Sequence, residues 1–275
     1  MPRFTTSAAT DRRLLGLLLI IELIVAVTLV GTPGAAPSGP GTALSPTPSS
    51  ATSRTARLSD GRTVELLNLG GTRTEPLVAR VAAEMDDAAA AVTRFWGPDW
   101  RRDIVVVATA NDDQFRTLAV GGADIAAATT AQRIVLAPGA AAMSPDSLRI
   151  VLRHELFHYA AREATAPDAP RWLTEGVADF VARPAAPRPG PQRAADLARL
   201  PTDADLDTEG PTRTLAYDRA WWFTRFVADR FGTATLRRLY DRACAPGHPD
   251  AATAVSGTLG EDLDAVMTDW RRWLT

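Results

Sequence analysis

Three histidines occur in the 275-residue chain, and two of them, His154 and His158, fall in the stretch "RHELFHYA" (153–160). On a helix, residues four apart share one face about a turn apart, so both imidazoles can hold a single metal ion between them. Glu155 is rotated about 100° from His154. It would sit beside the ion without ligating it, where a carboxylate can hold and deprotonate a bound water. With three histidines and nine glutamates, the chance occurrence of this H-E-x-x-H spacing is roughly one in a thousand. Coincidence is therefore a poor explanation.

A hydrolytic zinc ion usually takes three protein ligands and keeps a fourth position for water. The third ligand must come from elsewhere, and "RWLTEGVADF" (171–180) follows at once. Glu175 and Asp179 are again four apart on a predicted helix, so both carboxylates face one way. Glu175 is the candidate third ligand. Asp179 can accept the ring N–H of His154, which fixes its tautomer and raises its basicity. Gly176 permits close backbone approach beside that ligand. Two groups are candidates for stabilising an oxyanion: Tyr217, opening "YDRAWW", and His248, in the loop "APGHPD". Trp222 and Phe226, four apart, read as core. The lone Cys244 cannot form an intrachain disulfide and reads as a small core residue.

These residues must be positioned by an α+β scaffold. Strands are predicted at 62–69 and 103–109, with a helix between them capped by Thr74, started by Pro76 and stopped by Gly97-Pro98. Asn111 can cap a short helix to about residue 118. Adjacent strands are predicted at 123–131 and 133–138. Ser144-Pro145-Asp146 then starts the histidine helix, with a capping serine, a proline at the first position and an acid at the positive helix end. Beyond Pro170 the pattern is wholly helical, near 171–183, 190–199, 214–231, 233–243 and 260–273. Strands with helices come first and helices alone come second, so the histidine helix joins two halves.

At "HELFH" (154–158) and "WLTEGVADF" (172–180) the chain resembles the gluzincin metallopeptidases, and "LAYDRAWWFTRFVADRFG" (215–232) is similar to a later helix of that group. A metzincin would carry glycine and histidine where this chain has Ala161 and Ala164, which excludes that family. The gluzincin resemblance covers residues 57–275. It implies a two-lobed zincin-like fold, Zn²⁺ held by His154, His158 and Glu175, and hydrolysis of a peptide or protein substrate. It also implies that a strand before the histidine helix binds substrate edge to edge, with "DIAAATTA" (124–131) the candidate. A catalytically inactive zincin-like binding or scaffold module is the alternative. Zinc without turnover would favour that module; turnover lost in Glu155→Gln with zinc retained would favour the enzyme.

The N-terminal fifth has a different character. Arg3, Arg12 and Arg13 precede an apolar run from Leu14 to Val30, broken only by Gly16, Glu22 and Thr28. As a helix the run spans roughly 25 Å, and the positive-inside rule leaves residues 1–13 in the cytoplasm. Residues 14–31 then form a single-pass anchor, or alternatively a signal peptide cleaved near Ala36 or Ala43, so that the remainder is secreted. Either way the folded part is extracytoplasmic. Residues 32–56, rich in Pro, Gly, Ser and Thr, read as a disordered tether. The net charge of −2 gives no electrostatic case for a nucleic-acid partner.

Overall fold

The alternation of "TVELLN" decides how the first half folds. Val64, Leu66 and Asn68 are buried while the residues between them are half-exposed, a period of two that sets one face of a strand against a core. The computed structural model describes residues 51–119 and 125–275. The N-terminal tail, the apolar run at 14–31 and the tether up to residue 50 lie outside the described residues. So do residues 123 and 124 of the strand predicted at 123–131.

Five strands form one sheet in the order β1-β2-β3-β5-β4 among the described residues. These are β1 (Thr52–Arg57), β2 (Thr63–Asn68), β3 (Asp103–Ala108), β4 (Ala127–Thr129) and β5 (Ile134–Leu136). β1 and β2 form an antiparallel hairpin, β2, β3 and β5 run parallel, and β4 returns antiparallel along the far edge. The predicted boundary at residue 57 is corrected by β1. Residues 52–56, assigned to the tether, form an edge strand. Composition misled here because β1 is almost wholly exposed. Backbone pairing to β2 holds it, and its side chains give no burial signal. The 123–131 prediction contracts to β4 at 127–129, adjacent to β5 as expected.

Helix α1 (Glu75–Trp96) connects β2 to β3 and lays Val78, Val81, Met85, Ala88 and Val92 on the sheet. Thr74 precedes it but does not cap it through its side chain; its hydroxyl is donated to Asn68 instead. Gly97, at φ 93°, ends the helix as expected. Helix α2 (Asp112–Ala119) is capped by Asn111, which accepts from the Gln114 amide at 2.9 Å. It covers the opposite face of β4 and β5 with Phe115 and Ala119.

Helix α3 (Pro145–Ala161) carries the two histidines. Ser144 caps it, accepting from the Ser147 amide at 3.1 Å. From His154 to Ala161 every residue of α3 is buried. The helix is enclosed by α1, by β4 and by α4 (Arg171–Ala182). Phe157 makes edge-to-face contacts with Trp96 and Tyr240 at 5.6 and 5.5 Å. On the outer side, Arg149–Glu84 and Arg153–Asp87 tie α3 to α1. These partly exposed pairs contribute up to about 1 kcal/mol each.

The second half is helical: α5 (Pro191–Leu197), α6 (Asp203–Asp207), α7 (Pro211–Phe231), α8 (Thr233–Cys244), α9 (Ala251–Leu259) and α10 (Leu263–Leu274). Two of these were not predicted. The five-residue α6 rests on a Thr202–Asp205 capping box, with no apolar stripe to announce it. In α9, "AATAVSGTL" offers small residues and a glycine. Gly257 lies under the Arg242 guanidinium, 2.8 Å from where a Cβ would stand. The predicted helix at 260–273 starts later because Gly260, at φ 76°, terminates α9 and Asp262 caps α10.

Trp222, Phe226 and Cys244 are buried in the core, as expected. No helix among the described residues is long and apolar enough to cross a membrane.

Trp270 anchors α10. It is fully buried and meets Phe223 of α7 edge to face at 5.1 Å. Trp270→Ala should therefore destabilise the protein by about 3–5 kcal/mol. A urea denaturation midpoint reads this, and a loss below about 1 kcal/mol would show that α10 stands outside the cooperative core.

Candidate metal centre

Helices α3 and α4 meet so that three ligand atoms converge in the interior. His154 Nε2 and His158 Nε2 lie 3.0 Å apart, and Glu175 Oε2 is 3.2 Å from the first and 3.5 Å from the second. His154, His158 and Glu175 offer ligand atoms all within 4.8 Å of one another, and all three residues are buried. A tetrahedral ion with ligand bonds of about 2.0–2.1 Å sets ligand–ligand separations of roughly 3.3–3.4 Å. The observed triangle fits that ion closely.

The charge state supports the same fit. Neither carboxylate oxygen of Glu175 receives a hydrogen bond, although the side chain is fully buried. Leaving a buried charge unpaired costs several kcal/mol, so this carboxylate requires a cation against it. Without a metal, the imidazoles provide one. Burial opposes a charged His154, but the Asp179 hydrogen bond and then Glu175 outweigh it and push the ring up to about 10. Burial would raise Glu175, yet the facing His158 and His154 hold it well below the usual carboxylate range. These shifts are one interaction seen from its two ends.

Behind the triangle, a chain of polar groups fixes His154. Asp179 Oδ1 lies 2.9 Å from His154 Nδ1. This leaves Nε2 turned toward Glu175, provided the ring donates from Nδ1. Asp179 Oδ2 is 2.6 Å from Arg183 Nη2. That contact is an ion pair more than an aligned hydrogen bond, because Oδ2 has no hydrogen-bond partner of proper geometry. Arg183 Nη1 in turn meets Asp218 Oδ1 of α7 at 2.8 Å. Arg183 and Asp218 were not singled out in the sequence. The first is four residues after Asp179 and was legible in principle; the second becomes a neighbour only through the packing of α7.

Glu155 is fully buried on α3. Its Oε2 accepts from Thr129 Oγ1 at 2.6 Å, and Oε1 has no partner. Burial raises its proton affinity above that of an ordinary carboxylate, against the opposing influence of the two histidines and Thr129. Thr129 belongs to the edge strand β4, and no local pattern pointed to it. Tyr217 of α7 is buried, with its ring centroid 6.3 Å from that of His154. Burial, together with the charges of Glu175 and Asp179, keeps its phenol protonated far beyond neutral pH. His248 lies elsewhere. Its Nδ1 contacts the Pro249 carbonyl at 2.8 Å, and its Nε2 is 3.6 Å from Asp168. It therefore serves the loop that carries it. Burial holds the Cys244 thiol protonated.

Gly176 explains how α4 brings Glu175 and Asp179 so deep. A Cβ there would lie 2.6 Å from the Ala220 carbonyl oxygen and 2.9 Å from the Thr224 methyl. Only glycine lets α4 settle on α7 at this distance. Thr224 donates to the Gly176 carbonyl at 2.9 Å and locks the contact.

No protein-family model and no curated protein matches the sequence. Solved structures do resemble the fold. An M1 zinc metallopeptidase from Deinococcus radiodurans matches with a TM-score of 0.51 at 18% identity, over 82% of this chain and 52% of that chain. Aminopeptidase A from Legionella pneumophila, in complex with aspartic acid, matches with a TM-score of 0.47 at 18% identity, over 80% of this chain and 27% of that one. The chain thus spans about half the length of the Deinococcus peptidase. The likeness to that peptidase shows a shared fold: a small mixed sheet, a central helix and a helical second half.

Three outcomes follow from the geometry. Asp179→Asn should weaken divalent-metal affinity about 10–100-fold, measured by competition with a chromogenic chelator. Gly176→Ala should force α4 and α7 apart and lower both metal affinity and thermal stability; an unchanged variant would contradict the tight contact. The pH dependence has a definite sign. His154 is raised from its ordinary 6.5 to about 10. Its charge therefore stabilises the metal-free protein fully below the ordinary value, and that stability is lost as pH rises through about 10. An entering ion must displace this proton, so apparent metal affinity should climb with pH, by up to about tenfold per unit, until about pH 10. A flat profile between pH 6 and 9 would contradict it.

Proposed function

We propose that the protein is a metal-dependent hydrolase of peptide bonds, with zinc as the ion held by His154, His158 and Glu175. The convergence of these three buried ligand atoms, with the base Glu155 beside them, carries the reading. The ligand set of two imidazoles and one carboxylate, without thiolate, is that of a hydrolytic site with an open position. When bound, zinc polarises the scissile carbonyl and acidifies a water molecule to near neutrality.

The chain's own residues supply the rest. Glu155 takes the proton from the attacking water through its unpartnered Oε1, while Thr129 holds Oε2. Burial raises its proton affinity above that of an ordinary carboxylate, which favours taking up the water's proton. It then delivers that proton to the leaving amine. Asp179, steadied by Arg183, holds the His154 ring in register. Tyr217 remains a neutral phenol and so can donate to the oxyanion that forms at the attacked carbonyl. β4 is the sheet edge that an extended substrate would join as an added strand, and pairing there would have to uncover it, because Ala127, Ala128 and Thr129 are all buried. Export across the cytoplasmic membrane is also proposed, on the sequence of residues 1–31 alone.

Glu155→Gln should abolish turnover of a peptide library, by at least about 100-fold, while bound zinc stays at the wild-type level. Tyr217→Phe should lower kcat by about 10²–10³ with little change in KM. Zinc binding with no cleavage of any peptide by the wild type would instead establish a binding module.

A further inference from the structure

A recess opens directly beside the metal centre, between the end of α3 and the start of α4. His158 forms one wall and Thr129 of β4 another, so it touches both the ligand set and the strand that holds Glu155. Its lining carries two guanidinium groups, Arg162 and Arg171, and no carboxylate.

The two arginines differ in what they already hold. Arg171 Nη1 contacts Asp207 Oδ1 at 2.7 Å, so its charge is largely spent on α6. Arg162 is half-buried, one turn beyond His158, and has no carboxylate within ion-pair distance among the described residues. Its neighbour Glu163 points outward toward Arg101. Ala166 and Ala169 contribute small apolar surface to the remaining lining, beside the hydroxyl-bearing Thr165, Thr174 and Tyr240. A guanidinium in this lining without an ion-pair partner among the described residues offers a planar fork of donors that matches a carboxylate, and the alanines leave room for an aliphatic stem beside it.

We propose that this recess is a specificity pocket for a carboxylate of the substrate peptide, with Arg162 as the group that recognises it. The carboxylate belongs either to an acidic side chain flanking the cleaved bond or to the free C-terminus of a short peptide. The proposal rests on the hydrolase reading for its claim that a peptide lies here, and binding tests it apart from turnover.

The test uses full-length, zinc-loaded Glu155→Gln protein and calorimetric titration with matched acetylated pentapeptides. One set is amidated and carries glutamate at each position in turn. A second replaces that glutamate with glutamine. A third keeps the glutamine and frees the C-terminal carboxylate. One acidic peptide, from the first or third set, should bind about tenfold or more tightly than its neutral match, and which set it comes from identifies the source of the carboxylate. Adding Arg162→Gln should remove that preference, and Arg162→Glu should turn it toward lysine at the same position. Equal binding of all sets overturns the proposal, as does a preference that survives both substitutions. Selective binding without cleavage by the wild type upholds the pocket and removes the hydrolase. Cleavage without discrimination upholds the hydrolase and removes the pocket.

Discussion

A buried carboxylate with no hydrogen-bond donor is the constraint around which this protein is organised. Glu175 sits fully enclosed, with the two imidazoles of α3 at 3.2 and 3.5 Å from its Oε2. Such a charge is sustained only if a positive charge is held against it. The helices are arranged to make that possible. Every residue of α3 from His154 to Ala161 is buried, and α4 is pressed against α7 through a glycine that tolerates no Cβ. The polar line from Asp218 through Arg183 and Asp179 to His154 then fixes the orientation of that imidazole from behind.

This arrangement also sets apart four acidic groups carried by three helices, Glu155 on α3, Glu175 and Asp179 on α4, and Asp218 on α7. Glu175 and Glu155 are both fully buried, yet their environments push them in opposite directions. The first faces two imidazoles and stays ionised. The second is dominated by burial, with one oxygen on Thr129 and the other free. Asp179 and Asp218 are occupied by Arg183 and are structural in consequence. A candidate ligand, a candidate base and a support are thus distinguished by their neighbours, although their chemistry is the same.

The sequence carried the site better than it carried the fold's edges. His154, His158, Glu175 and Asp179 were legible because two i, i+4 pairs on consecutive helices leave few ways to pack. Gly176 was legible because a glycine inside a helical pattern needs a reason. Thr129 and Asp218 were not, since each becomes a neighbour only through tertiary packing. Among the elements, α1, β2, β3 and α3 announced themselves by periodicity and capping. β1 did not, because an exposed edge strand is held by backbone pairing alone. α6 and α9 did not, because short helices rich in small or acidic residues lack an apolar stripe. The Thr74 prediction failed for a local reason: a nearby asparagine claimed the hydroxyl that was expected to cap α1.

The central claim is that His154, His158 and Glu175 together hold one divalent ion and leave a position open to water. X-ray absorption at the zinc edge of the full-length protein tests it most directly. The account predicts one equivalent of zinc with nitrogen and oxygen neighbours at about 2.0–2.1 Å, two of them imidazole, and no sulfur. In Glu175→Ala that signal should weaken or vanish. Sulfur in the coordination shell, zinc far below one equivalent after loading, or a shell unaltered by Glu175→Ala would contradict it.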